Sequence, residues 1–325
     1  MTAPALDPAA RRLLHALNRA ARANPGARSV ADLRAAAVEL AKFASPPPPA
    51  ARADDALDLG GRRLPLRIYA PPGREADDLP GLVYFHGGGL VAGDLDTHDA
   101  LTATLAAGAG CRVLAVDYAR APEARFPGAR DEAVAVTLAA TRDPGRWRLD
   151  AARIGVGGDS AGGQLAALAA REAGRALRLQ LLLCPVMDCL ARAPSRFALS
   201  EGYLIDEATM RAYWEAYRVE GLDPDDPRVA PLAASDFSGL APALVHTADG
   251  DPLCDEGEAY AAALTQAGVS CRLTRHAGLI HHFYGLGGVI PAARAALERI
   301  VADLRAAFHL QAHGPDARAP SDLSC

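Results

Sequence analysis

Aromatic side chains are scarce in this chain: phenylalanine, tryptophan and tyrosine make up only 5% of its 325 residues. Lysine is scarcer still, with Lys42 the only one among 34 basic residues. An arginine and alanine bias of this kind reflects genomic base composition rather than function. Neither sign of charge dominates. The 34 basic and 39 acidic residues are interspersed, with a formal charge of −5 and an isoelectric point near 6.0. The chain therefore lacks the basic stripe that a nucleic acid or an anionic membrane surface would need, and no nucleic-acid partner is expected. No apolar run is long enough for a spanning helix, so no integral membrane segment is expected either. The six cysteines, at 111, 184, 189, 254, 271 and 325, form no CxxC pair and no cluster with histidine at zinc spacing. They read as reduced thiols, and neither a metal nor a cofactor is expected. Met1 to Ala10 contains no basic segment followed by an apolar core, as a signal peptide would. The expected location is the cytoplasm.

What the chain does have is 50% hydrophobic residues, enough for the core of one large α/β domain. Asp7 followed by Pro8 is a helix start, and Ala10, Leu13, Leu14, Leu17 and Ala21 recur at helical spacing until Asn24, Pro25 and Gly26 end the pattern. Ser29-x-x-Asp32 is a capping-box pattern opening a second helix with Val30, Leu33, Ala37, Leu40 and Ala41 on one face. Four prolines at 46–49 then form a stiff connector, making residues 1–50 a helical appendage. After it, strands are predicted at 64–69, 81–85, 113–118, 153–156, 179–184, 243–247 and 270–273. Helices are predicted at about 97–108, 128–141, 161–173, 255–267 and 291–307. Such alternation predicts a mostly parallel sheet with helices on both faces. Residues from about 188 to 236 break the rhythm as an insertion above the sheet, and residues 313–325 read as a disordered tail.

Gly158-Asp159-Ser160-Ala161-Gly162 falls between the predicted strand RIGV and the helical run QLAALAA. A G-x-S-x-G alone could be a glycine-rich turn or a phosphate-binding loop. Between a strand and a helix, however, small neighbours let the turn raise the serine hydroxyl above the sheet at a helix N-terminus, which suits a nucleophile. His86-Gly87-Gly88-Gly89 follows the strand GLVYF, and consecutive glycines allow backbone N–H groups to converge on an oxyanion. A serine needs a base, and the base needs an acid to orient it. On a sheet of this kind the order is serine, acid, histidine. Downstream of Ser160, only His281 and His282 occupy a loop beyond the last strand. His246 lies in an apolar strand, His276 near a strand end, and His309 and His313 in the terminal helix and tail. The acid should follow the strand ALVHT, leaving Asp249, Asp251 and Asp255, with Asp255 better suited to capping the next helix.

The segments HGGGLVAGDLDTHD at 86–99, VDYARAPEARFPGA at 116–129, GDSAGGQLA at 158–166, and DPLCDEG with LIHHF further on resemble the bacterial hormone-sensitive-lipase-like esterases of the α/β-hydrolase superfamily. The likeness runs from the N-terminal helices to His282. It implies an α/β-hydrolase fold with Ser160 as nucleophile, Asp251 as acid and His281 as base. The oxyanion donors would be the backbone N–H groups of Gly88, Gly89 and Ala161, with His86 and Gly87 supporting the loop. It further implies a helical cap made from residues 1–50 and about 188–236, over a catalytic domain spanning 51–312. Three positions depart from the pattern. His282 stands where the family usually has glycine, and so could crowd the site or compete as the base. Arg120 stands one place later than the family's arginine, and Gln164 replaces a more usual asparagine.

The expected activity is hydrolysis of short- to medium-chain carboxylic esters through an acyl-enzyme. Amidase, formamidase or lactonase chemistry on the same triad is the alternative, and a catalytically silent small-molecule receptor is the alternative of a different class. The expected partner is a small-molecule ester. The sequence leaves open a homodimer.

Overall fold

A computed structural model describes residues 4–23, 29–190 and 192–309. Eight strands form one sheet in the order β1-β2-β4-β3-β5-β6-β7-β8. These are β1 (Ala51–Asp58), β2 (Arg63–Ala70), β3 (Leu79–Phe85), β4 (Arg112–Val116), β5 (Leu149–Asp159), β6 (Leu179–Leu183), β7 (Ala243–Gly250) and β8 (Cys271–Ile280). β1 and β2 pair antiparallel, β2 joins β4 antiparallel, and every other pairing is parallel.

The central strands are apolar on both sides because both faces are covered. Val83, Phe85, Leu114 and Val116 pack with α4 (Gly128–Arg142), α5 (Ala161–Ala173) and α8 (Cys254–Gln266). The alternate residues Leu82, Tyr84, Val113 and Ala115 pack with α3 (Asp99–Ala109) and α9 (Pro291–His309). Of the eight strands among the described residues, β1 alone was not foreseen. Its sequence, ARADDALD, has no β-branched or aromatic residue, and it forms because an edge position lets its acids face water while it pairs along its whole length with β2.

Before the sheet come α1 (Pro8–Ala23) and α2 (Val30–Ala41). Asp7 Oδ1 accepts from the N–H groups of Ala9 and Ala10 at 2.7 and 3.2 Å. Ser29 and Asp32 form the reciprocal capping box foreseen from their spacing. The segment after β6 contains α6 (Pro194–Ala198) and α7 (Glu207–Tyr217). Among the described residues no helix is long and apolar enough to cross a membrane. Five cysteines are free, while Cys325, the tail expected from residue 313 and the expected helix stop at Asn24 to Gly26 lie outside the described residues.

Candidate active site

β5 runs straight into α5, and the turn between them places Ser160 at φ 53° and ψ −120°. That conformation is unfavourable for a residue with a Cβ and persists only where surrounding contacts impose it. Here they do: Ser160 N–H donates to Leu183 O at 2.8 Å, and Ser160 O accepts from Val186 N–H at 3.0 Å. The hydroxyl stands above the sheet at the N-terminus of α5, where the Ala161 N–H has no partner within the helix.

The other two residues reach it from neighbouring parallel strands. Asp251 follows β7 and His281 follows β8, and because these strands are adjacent their C-terminal ends meet. His281 Nε2 lies 3.1 Å from Ser160 Oγ, and His281 Nδ1 lies 2.9 Å from Asp251 Oδ2. Asp251 is fully buried, and its Oδ1 accepts from Leu253 N–H at 2.9 Å, which leaves one oxygen aimed at the imidazole. A hydroxyl, an imidazole and a carboxylate in this line can pass a proton from oxygen to nitrogen while holding the resulting imidazolium.

The competing residues have other partners. Asp249 accepts from Arg275 at 2.6 Å and from Gly278 N–H at 2.9 Å. Asp255 does not cap α8 as expected: it sits inside the first turn and accepts from Ser195 N–H at 2.8 Å, because the chain from α6 packs across that helix end. His246 and His276 are stacked on each other, with Nδ1 and Nε2 3.1 Å apart. His282 lines the same cavity but is not hydrogen-bonded to the serine. Its ring lies edge-on to His98 at 6.2 Å and to Tyr284 at 5.0 Å, and its backbone is left-handed at φ 62°. This left-handed backbone is the reason a glycine suits the position.

The glycine loop lies beside the serine on the same cavity. Gly88 and Gly89 have φ of 119° and 64°; a side chain on the first would strike the Ala92 carbonyl, and one on the second the Tyr213 ring. His86 braces the loop through Nδ1 to Gly87 O at 2.8 Å, and its ring stacks on Tyr118, whose hydroxyl donates to His86 O at 2.7 Å. Arg120, displaced by one place in sequence, donates to Gly93 O at the far end of the loop. Gln164 bonds Val229 O and so ties α5 to the segment that follows α7.

Sequence reasoning missed the layer beneath. Asp159, the variable residue of G-x-S-x-G, is buried, accepts from Tyr84 Oη at 2.8 Å and lies 3.3 Å from His98 Nε2. Burial alone would raise its pKa, but His98 and Tyr84 hold the carboxyl well below the usual range. The motif gave no sign of this partnership, since Tyr84 and His98 are brought to it by β3 and α3. Cys184 is a second such residue: its Sγ and ligand atoms of Asp251 and His281 all lie within 4.8 Å of one another. Burial, reinforced by Asp251, pushes the Cys184 thiol well above its ordinary pKa.

Residues 82–285 match the family described as alpha/beta hydrolase fold. The chain belongs to that family. It is 41% identical over 252 residues to an ethyl acetate hydrolase of Pseudomonas putida, covering 75% of this chain and 79% of that one. It is 38% identical over 254 residues to the carboxylesterase NlhH of Mycobacterium tuberculosis, covering 76% and 79%. Among solved structures, an ester-hydrolase from the metagenome of Lake Arreo, in complex with a bipyridine phosphonate derivative, superposes with a TM-score of 0.89 at 36% identity, over 94% of this chain and all of that one. A thermostable esterase from Pseudomonas putida ECU1011 gives 0.87 at 31% identity, over 96% and 100%. This places the hydrolase among the hormone-sensitive-lipase-like esterases.

Proposed function

We propose that this chain is a serine carboxylesterase in which Ser160 is the nucleophile, His281 the general base and Asp251 the acid that orients it. The observation that carries the reading is the continuous line from Asp251 Oδ2 to His281 to Ser160 Oγ, at 2.9 and 3.1 Å, opening onto a cavity beside the glycine loop. Ser160 Oγ adds to the ester carbonyl carbon as its proton passes to His281 Nε2. The N–H groups of Gly88, Gly89 and Ala161 stabilise the oxyanion. Collapse of this adduct expels the alcohol, which takes the proton from His281 and leaves an acyl group on Ser160. Water, deprotonated by His281, then repeats the sequence and releases the acid.

Leu14 and Leu17 of α1, Leu33 and Leu40 of α2, and Tyr213 and Trp214 of α7 line the cavity, which supports reading these helices as a cap. Its volume of about 570 Å³ accommodates short- to medium-chain esters. Five of the chain's seventeen aromatics line it, with Phe43, Tyr203 and Tyr217 alongside Tyr213 and Trp214. The five free cysteines suit a reducing cytoplasm. Ser160→Ala should fold normally, judged by circular dichroism, and lose hydrolysis of p-nitrophenyl acetate and butyrate. Activity retained in that variant would overturn the assignment.

A further inference from the structure

The walls of the cavity are largely apolar, but among the described residues one arginine, Arg196, lines it. Arg196, on α6, is only 6% exposed, so solvent does little to stabilise its charge. The helix is held in place from below, with Ser195 Oγ donating to Pro252 O at 2.7 Å and Ser195 N–H donating to Asp255. No carboxylate comes within hydrogen-bonding distance of the guanidinium in either of its ion pairs. Glu256 Oε2 is 3.7 Å from Nη1 and Glu207 Oε2 is 3.7 Å from Nη2. Arg196 Nη1 has no hydrogen-bond partner, and neither has Glu256 Oε2. Burial pushes the Glu256 carboxyl up, against the pull of Arg196, which weakens it as a counter-charge. Glu207 is partly open to solvent, which weakens its hold on the cation.

The acids that line the same cavity are engaged elsewhere. Asp188 is bound by Arg192 at 2.9 Å and accepts from Leu190 N–H. Glu39 pairs with Lys42, Asp206 caps α7 through Thr209 N–H, and Asp159 is held by Tyr84 and His98. Arg192 shows what a satisfied arginine looks like in this segment, with Asp188 and Asp225 at 2.9 and 2.7 Å. Arg196 differs in lining an open cavity while no carboxylate comes within hydrogen-bonding distance of its guanidinium. A planar guanidinium in such a place matches a carboxylate.

We propose that Arg196 binds a free carboxylate carried by the substrate, so that the preferred esters are half-esters of dicarboxylic acids. This rests on the reading of Ser160 as the nucleophile, since the ester and the second carboxylate must share one cavity. The experiment compares kcat/KM for monomethyl and dimethyl esters of the dicarboxylic acids from succinate to suberate, using wild type, Arg196→Gln and Arg196→Lys. Wild type should favour the monoester over the diester about tenfold or more at one chain length, mainly through KM. Arg196→Gln should erase the preference and Arg196→Lys should keep part of it. Calorimetric titration with the free dicarboxylates should show binding to wild type that Arg196→Gln weakens to a similar degree. This second readout does not depend on catalysis, and thermal melts report whether each variant folds. A wild type that prefers the diester at every length, or an Arg196→Gln variant that keeps the preference, would overturn the proposal. If wild type cleaves diesters and p-nitrophenyl butyrate without favouring monoesters, only the role of Arg196 fails. If it cleaves none of them, the esterase reading fails, and dicarboxylate titration alone decides Arg196.

Discussion

His281 and His282 are adjacent in sequence, yet only one of them faces Ser160, because the left-handed backbone at 282 sends the second ring toward His98 and Tyr284. His281→Ala should therefore be inactive, whereas His282→Gly should keep substantial kcat because glycine adopts that backbone freely. The reverse result in steady-state assays would move the base by one residue. Asp251→Asn should lower kcat by about 10⁴-fold with little change in KM, since an amide at that position holds the wrong imidazole tautomer. At this scale the sequence supplied the candidates but left three acids and two histidines open on the residues alone. Spacing cannot separate Asp249 from Asp251; the difference is that Arg275 and Gly278 N–H claim the first, while the second is fully buried facing an imidazole.

Elements were more legible than their contacts. The α1 and α2 starts follow from capping residues, and the turn from β5 into α5 and five of the seven later helices, α3, α4, α5, α8 and α9, from small residues and apolar spacing, which are local signals. What α2 touches is not local. Arg34 reaches from it to Val91 O at 3.0 Å, to Ala121 O at 3.1 Å and to both oxygens of Glu123, fastening the helix to the chain that carries the glycine loop. Arg34→Ala should loosen that wall of the cavity, raising KM for p-nitrophenyl butyrate roughly threefold to tenfold while kcat changes little. A loss confined to kcat would show that α2 instead positions the reacting groups. β1 escaped the pattern because its pairing with β2, not its side chains, makes it a strand.

Across the whole molecule, several histidines are held neutral by burial. His86, His246 and His282 are pushed down to about 3 and His276 to about 4. An unfolded chain takes up these protons below about 6.5, whereas the folded chain does not, so each such histidine lowers stability as pH falls from there toward its folded value. Asp159 acts in the same sense lower down: its carboxyl is depressed in the fold, so its contribution is complete above the ordinary carboxylate range and fades below it. The unfolding free energy from urea titrations should accordingly fall as pH drops from about 6.5 to 4.5, by up to about 1.4 kcal/mol per pH unit for each histidine. In His282→Gly that slope should shrink by about one proton, and an unchanged slope would show that His282 does not contribute.

By itself the sequence determined the alternation of strands and helices, the serine turn, the glycine loop and the family likeness, because each is written in contiguous residues with their own propensity or steric demand. Only the tertiary structure decided which acid and which histidine meet Ser160, that Tyr84 and His98 hold Asp159, and that Arg196 lines the cavity with no carboxylate within hydrogen-bonding distance. Those contacts join residues far apart in the chain. Their formation depends on strand order and on what each buried polar group finds opposite it, information that no local window of sequence contains.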